Sequence, residues 1–399
     1  MVNRNRRKLL GMASVLALLA SGISAQAEET IKIGGMVSIT GGGASIGAVA
    51  TLSWNLAVED INANGGIMGK QVEIVIADTQ TDPTHAVSEA RRLVENEKIM
   101  AMVGPVTSQE VIPVTAITTA AKIAQITTAA SASLTPEAAP YHFSNSPTGL
   151  NQMIPNINYA VDVLGAKKIG LISDNGGMSK AAVNEIIEYM KEKGVEPVEV
   201  QEFAFKAEDM TPQLFSLRNS GAEVVLLINS IGDDARKFLQ NRDEIGWMVP
   251  VLGSLTTTNY AVGNAKALGE EVFEGVLSVQ FMGMTYCEGD EIGASAFAKF
   301  DARATAAIAD IDKLGGSSAL APYYVEPLIL KAAIEGAELL EGDKIAAWIE
   351  ANSDKIDNML GTFGASAQSH FLPSADGLVV TKNAFNPRED GLVERVQCN

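Results

Sequence analysis

From Ile31 onward, short apolar runs alternate with segments of helical periodicity, and this alternation restricts the chain to parallel sheets covered by helices. Residues 31–37 read as a strand ending in a Gly-rich loop. Ala50, Trp54, Ala57 and Ile61 follow at helical spacing, and Asn64-Gly65-Gly66 stops that helix, because glycine accepts the left-handed backbone of a helix end. The next strand is expected at 71–77. Asp82-Pro83 then opens a helix with Ala86, Ala90, Leu93 and Val94 facing inward. Strands at 99–103 and 123–127 flank a helix starting near Ser108.

A second series starts near Lys168. Strands are expected at 168–173, 198–203, 223–228 and 249–252, and Val183, Ile186, Ile187 and Met190 line one side of the helix after the first of them. Two βα series, each long enough for its own core, predict two α/β lobes. Residues 140–147 are irregular and rich in turn formers, which suits a crossover; 276–282 is a second candidate. Helices at 322–340 and 344–351 and strands at 377–381 and 392–396 complete the pattern.

The first residues read as a secretory signal. Arg4, Arg6, Arg7 and Lys8 precede an apolar stretch at 9–20, and Ala25-Gln26-Ala27 predicts cleavage before Glu28. That stretch is shorter than the roughly 20 residues of a membrane span, and no cysteine stands beside it for a lipid anchor. A soluble, exported chain of two domains is expected. The chain has 30 basic and 48 acidic residues; without the four basic residues of the leader, 26 basic residues remain. No Lys/Arg cluster survives, which argues against nucleic acid as a partner. His85, His142 and His370 are scattered without ligand spacing, so neither a metal nor a cofactor is expected. Cys287 and Cys398 either pair in an oxidising compartment or remain two thiols.

Gly43-Ala44-Ser45-Ile46-Gly47 matches the GxSxG elbow between a strand and a helix. A hydrolase would need a base, which only His370 supplies by chain order, and the elbow would have to follow the first strand rather than a later one. The glycine spacing is not GxGxxG, and no Walker motif occurs. What remains is a helix N-terminus able to hold an anionic or polar group. Gly104-Pro105-Val106-Thr107-Ser108 and Thr127-Thr128-Ala129-Ala130-Ser131 place further hydroxyls at strand ends, where open α/β sheets bind ligands. Each hydroxyl either caps its own helix or joins a ligand site.

These residues resemble one family over nearly the whole mature chain. Thr40-Gly41-Gly42-Gly43-Ala44-Ser45-Ile46-Gly47 is similar to the Gly-rich first loop of type I periplasmic binding proteins, in the leucine/isoleucine/valine-binding branch. The stretch Val58 to Lys70, with Asp60-Ile61-Asn62-Ala63-Asn64-Gly65-Gly66-Ile67, resembles the branch's most specific signature; Asp78 to Pro83 and Val103 to Ser108 match further segments. The resemblance implies a Venus-flytrap fold with three crossovers: signal 1–27, lobe one at 28–146 plus about 282–370, and lobe two at 147–281 plus about 371–399. It implies a monomer, without enzymatic activity, that binds a small molecule and docks on the membrane permease of an ATP-binding-cassette importer. A sensing receptor subunit of the same fold is the alternative, and a hydrolase using Ser45 the more distant one. Carried over residue by residue, the ligand contacts are Ser45, Ile46, Thr107, Ser108, Ala130 and Ser131 from lobe one, with Met178, Ile231 and Leu255 from lobe two. An acidic partner for a ligand ammonium is replaced near Leu255. The expected ligand therefore has a carboxylate or amide head and an apolar or aromatic body.

Overall fold

In the computed structural model, residues 30–398 are described, so the expected signal and its cleavage site lie outside the described residues. The first sheet contains β1 (Ile31–Val37), β2 (Val72–Asp78), β3 (Ala101–Val103), β4 (Ala124–Thr127) and β5 (His142–Ser144), in the order β2-β1-β3-β4-β5 and all parallel. The second sheet has eight strands: β6 (Ile169–Asp174), β7 (Pro197–Phe203), β8 (Val224–Ile228), β9 (Val251–Gly253), β10 (Val276–Phe281), β11 (Thr285–Tyr286), β12 (Leu378–Lys382) and β13 (Val393–Arg395). Their order is β11-β13-β12-β10-β9-β8-β6-β7, with β12 antiparallel to both neighbours and the other pairs parallel.

The strands form where apolar runs are long enough to be buried on both faces. In β8, all five residues of Val-Val-Leu-Leu-Ile are buried. Helix Ala44–Ala63 covers the first sheet with Trp54, Ala57 and Ile61, and the distant helix Ser317–Ala337 packs against it. Trp54 is fully buried and donates its indole N–H to Glu326 at 2.6 Å. A separate cluster around Phe203, Leu217, Phe238 and Val251 fills one face of the second sheet. Arg242 is buried beside it and donates to the carbonyls of Val249, Val272 and Glu274 at 2.6–3.0 Å, stapling three turns. Cys287 and Cys398 are disulfide-bonded with Cα atoms 5.8 Å apart, resolving the alternative left open by the sequence.

Two expectations need correction, and a third is sharpened. His142–Ser144, inside the expected irregular crossover, forms β5; a three-residue strand carrying a histidine and a serine has no apolar run to announce it. Residues 276–281, a candidate crossover, form a strand of the second sheet that the chain leaves at Met282, and it pairs again in that sheet through Tyr286. The helix expected from Pro322 starts at Ser317 and keeps Pro322 and Pro327 inside it. Proline suits a first helical turn and so suggested a start too late.

Candidate functional site

A cavity of about 80 Å³ lies between the carboxyl ends of the two sheets. A volume of that size is well above the minimum of about 10–15 Å³ that a single water needs, and it suits a small molecule rather than a peptide. Its walls come from segments that follow strands: Val106, Thr107 and Ser108 after β3, Thr128 and Ala130 after β4, and Ser146 after β5. Met178 follows β6, Ser230 follows β8, and Leu255, Thr256, Asn259 and Tyr260 follow β9. Phe281 at the end of β10, with Ala319, Pro322 and Tyr323 of helix Ser317–Ala337, closes the remaining side.

Local backbone rules deliver these groups. Gly104 ends β3 at φ +74°, and a Cβ there would sit 2.1 Å from the Met36 carbonyl oxygen, so only glycine lets the chain turn into Thr107. Asp174 accepts from the amides of Gly176 at 2.7 Å and Ser230 at 2.5 Å, which fixes the two turns leading to Met178 and Ser230. Burial pushes its carboxyl above the usual range, with those hydrogen bonds acting the other way. Helices Ser108–Ala121 and Gly177–Glu192 both start at the cavity and direct their partial positive ends into it. The lobes touch here: a Cβ on Gly177 would lie 3.0 Å from the Gln109 nitrogen and 3.2 Å from the Ser108 Cβ.

The polar lining is rich in hydroxyls. Ser108 Oγ accepts from the Ala130 amide at 3.1 Å, which leaves its own O–H to donate. The Leu255 amide donates to Gln152 Oε1 at 3.3 Å, and Gln152 Nε2 donates to the Pro147 carbonyl at 3.1 Å. The Tyr260 hydroxyl is buried, and the Tyr323 hydroxyl lies beside it. Burial raises both phenols above their ordinary value, so both stay neutral. Glu326 lies behind this wall; burial holds its carboxyl well above the usual range, opposed by the Trp54 N–H. Among the described residues, none of those lining the cavity is charged.

Of the residues expected at the site, the structure brings Thr107, Ser108, Ala130, Met178 and Leu255 together on the cavity wall. Ser131 is buried beside it and pairs with Ser133 Oγ at 3.0 Å. Ser45 Oγ reaches Asp233 Oδ2 at 2.9 Å, joining the start of helix Ala44–Ala63 to helix Gly232–Glu244 outside the cavity. Ile46 and Ile231 face the hydrophobic core, where 3% and 0% of their surface is exposed. At Ile231 the expected contact falls one residue late, and its neighbour Ser230 lines the cavity. His370, the base that an elbow at Ser45 would require, uses its ring nitrogens on the His142 carbonyl and on Glu350. Gln152, Asn259, Tyr260, Phe281 and Tyr323 were not foreseen. A strand-end pattern does not reach them, except that Phe281 closes an apolar run.

Two α/β lobes enclosing a small cavity at the carboxyl ends of both sheets define a ligand-binding protein. The chain belongs to the periplasmic binding protein family, whose model matches residues 30–383. As a member of that family it is a substrate-binding protein and not an enzyme. An amino acid binding protein of Pseudomonas aeruginosa is 32% identical over 222 residues, 55% of this chain and 59% of that protein, so the match spans about three fifths of that relative. Leu/Ile/Val-binding protein homolog 8 of Brucella abortus is 27% identical over 289 residues, 70% of each chain. The fold is also that of LivJ from Streptococcus pneumoniae, solved with isoleucine (TM-score 0.74, 23% identity, 93% of this chain and 100% of that one). A solute binding protein from Rhodopseudomonas palustris, solved with 4-hydroxybenzoate, has the same fold (TM-score 0.75, 18% identity, 93% and 96%). Among the described residues no helix is long and apolar enough to cross a membrane.

Proposed function

We propose that this protein carries a small acid or amide in the periplasm, as a monomer, to the permease of an ATP-binding-cassette importer. Its cargo has a carboxylate or amide head and an apolar or aromatic body, and is not an α-amino acid. The observation that carries this reading is the absence of charge on the described cavity wall. An α-ammonium buried there would have no carboxylate partner, and an unpaired buried charge is costly. A carboxylate fares better, since two helix N-termini and the free Ser108 O–H meet it. Val106, Met178, Leu255, Phe281 and Pro322 offer an apolar surface for the body.

The test is native mass spectrometry of the freshly purified protein, followed by identification of any released small molecule. The expected result is a retained monocarboxylic acid or amide without an α-amino group. A retained leucine, isoleucine or valine contradicts the reading.

A further inference from the structure

Glu110 is fully buried at the third position of helix Ser108–Ala121, one turn behind the cavity wall. Its Oε2 is 2.5 Å from Thr107 Oγ1, and its Oε1 is 3.5 Å from Ser38 Oγ, which in turn is 3.1 Å from Thr79 Oγ1. Thr107 is the only one of these hydroxyls on the cavity wall. A hydroxyl has one proton to give. Facing an ionised carboxylate, which only accepts, Thr107 must spend that proton on Glu110 and turn its lone pairs elsewhere. Facing a protonated carboxyl, Thr107 accepts instead, and its own proton is released toward the cavity.

We propose that Glu110 is a positioning residue for the ligand's carboxylate: its protonation turns the Thr107 hydroxyl into the cavity, so a carboxylate binds with uptake of one proton. This rests on the carboxylate head proposed above, but not on the absence of an α-amino group. The proton goes to the Glu110 carboxyl from solvent, the Glu110 O–H donates to Thr107 Oγ1, and the Thr107 O–H donates to the ligand; no covalent bond between heavy atoms changes.

The surroundings favour this. Burial pushes the Glu110 carboxyl above the usual range, against the hydroxyls of Thr107, Thr79 and Ser38 and the Thr107 backbone N–H. Among the described residues, none of the charged groups on the neighbouring elements is hydrogen-bonded or ion-paired to Glu110. Asp78, beside Thr79, takes the amides of Ile39, Thr40 and Gln80. Helix Pro83–Arg92 carries His85, Glu89, Arg91 and Arg92, the last paired with Glu89 and Glu97. Helix Gly177–Glu192 carries Lys180 in its first turns, exposed to solvent, and β4 carries no charged residue. The helix N-cap, Thr107, makes no side-chain bond to its own helix amides, so its hydroxyl is not needed as a cap.

The test uses benzoate and isoleucine, both carboxylates, titrated calorimetrically from about pH 5 to about pH 8 in buffers of different ionisation enthalpy. Proton uptake should approach one per bound ligand at the upper end, with affinity falling by up to about tenfold per pH unit. Glu110→Gln, which donates but does not titrate, should bind with flat pH dependence and no proton uptake. Thr107→Val should lose the pH dependence while leaving Glu110 titrating. Infrared spectroscopy of the ligand-free protein should show a protonated-carboxyl carbonyl band that Glu110→Gln removes and Thr107→Val retains. Binding of isoleucine with proton uptake overturns the proposed cargo and upholds this inference. Binding of either probe without proton uptake at about pH 8, or a ligand-free protein lacking the Glu110 band at about pH 5, overturns the inference itself.

Discussion

Replacing Gly177 by valine is expected to weaken ligand binding by roughly 10- to 100-fold while leaving the ligand-free protein folded. A Cβ alone on Gly177 would come within 3.0 Å of the Gln109 backbone nitrogen, tighter than ordinary contact, and the two methyl groups of valine add further bulk. Gln109 belongs to the helix that follows β3, Gly177 to the helix that follows β6, so the collision is between lobes rather than within one. Overpacking of this kind costs about 1–3 kcal/mol where neighbours cannot yield. An open form escapes it by keeping the helices apart. The cost therefore falls on the closed, liganded state and shifts the balance against it. Small-angle scattering with and without ligand, together with a thermal melt, checks this: compaction on binding should be reduced and the ligand-free melting temperature nearly unchanged. Wild-type affinity in the valine variant would mean that this approach is absent from the bound state.

Ser108→Ala is expected to cost about 1–3 kcal/mol of binding, roughly 5- to 150-fold in affinity. The hydroxyl performs two tasks, accepting from the Ala130 amide and leaving its proton for the ligand. Alanine removes both and strands a buried N–H on the cavity wall. A calorimetric titration with the retained ligand reads the loss directly. An amide-headed analogue should lose less than the carboxylate, because hydrogen bonds to a charged acceptor are the stronger ones. Equal affinity of wild type and variant would remove Ser108 from the ligand's contacts.

The parts of the site legible in the sequence are those that a strand end announces. Thr107, Ser108 and Ala130 follow directly from β3 and β4, whose apolar runs place them at the rim of a parallel sheet. Met178 and Leu255 follow β6 and β9 in the same way. Tyr323 does not: it lies inside a helix whose start was misplaced by Pro322, and only the chain's return brings it to the cavity. Asn259 ends a five-residue helix, and Tyr260 follows it, in a stretch too short for periodicity to reveal. The partner of Ser45 could not be read either, since a Gly-rich turn into a helix looks alike whether its serine faces a ligand or reaches, as in this structure, the aspartate of another helix. Elements with long apolar runs could be read locally; side chains positioned by crossovers could not.

The charge-free wall is the centre of this account, and one measurement tests it most directly: parallel calorimetric titration of the ligand-free protein with benzoate-type acids and with leucine, isoleucine and valine. Binding of one or more of the simple acids, with no detectable heat from the three amino acids, is the predicted result. Tight binding of isoleucine with none of the simple acids bound would contradict it.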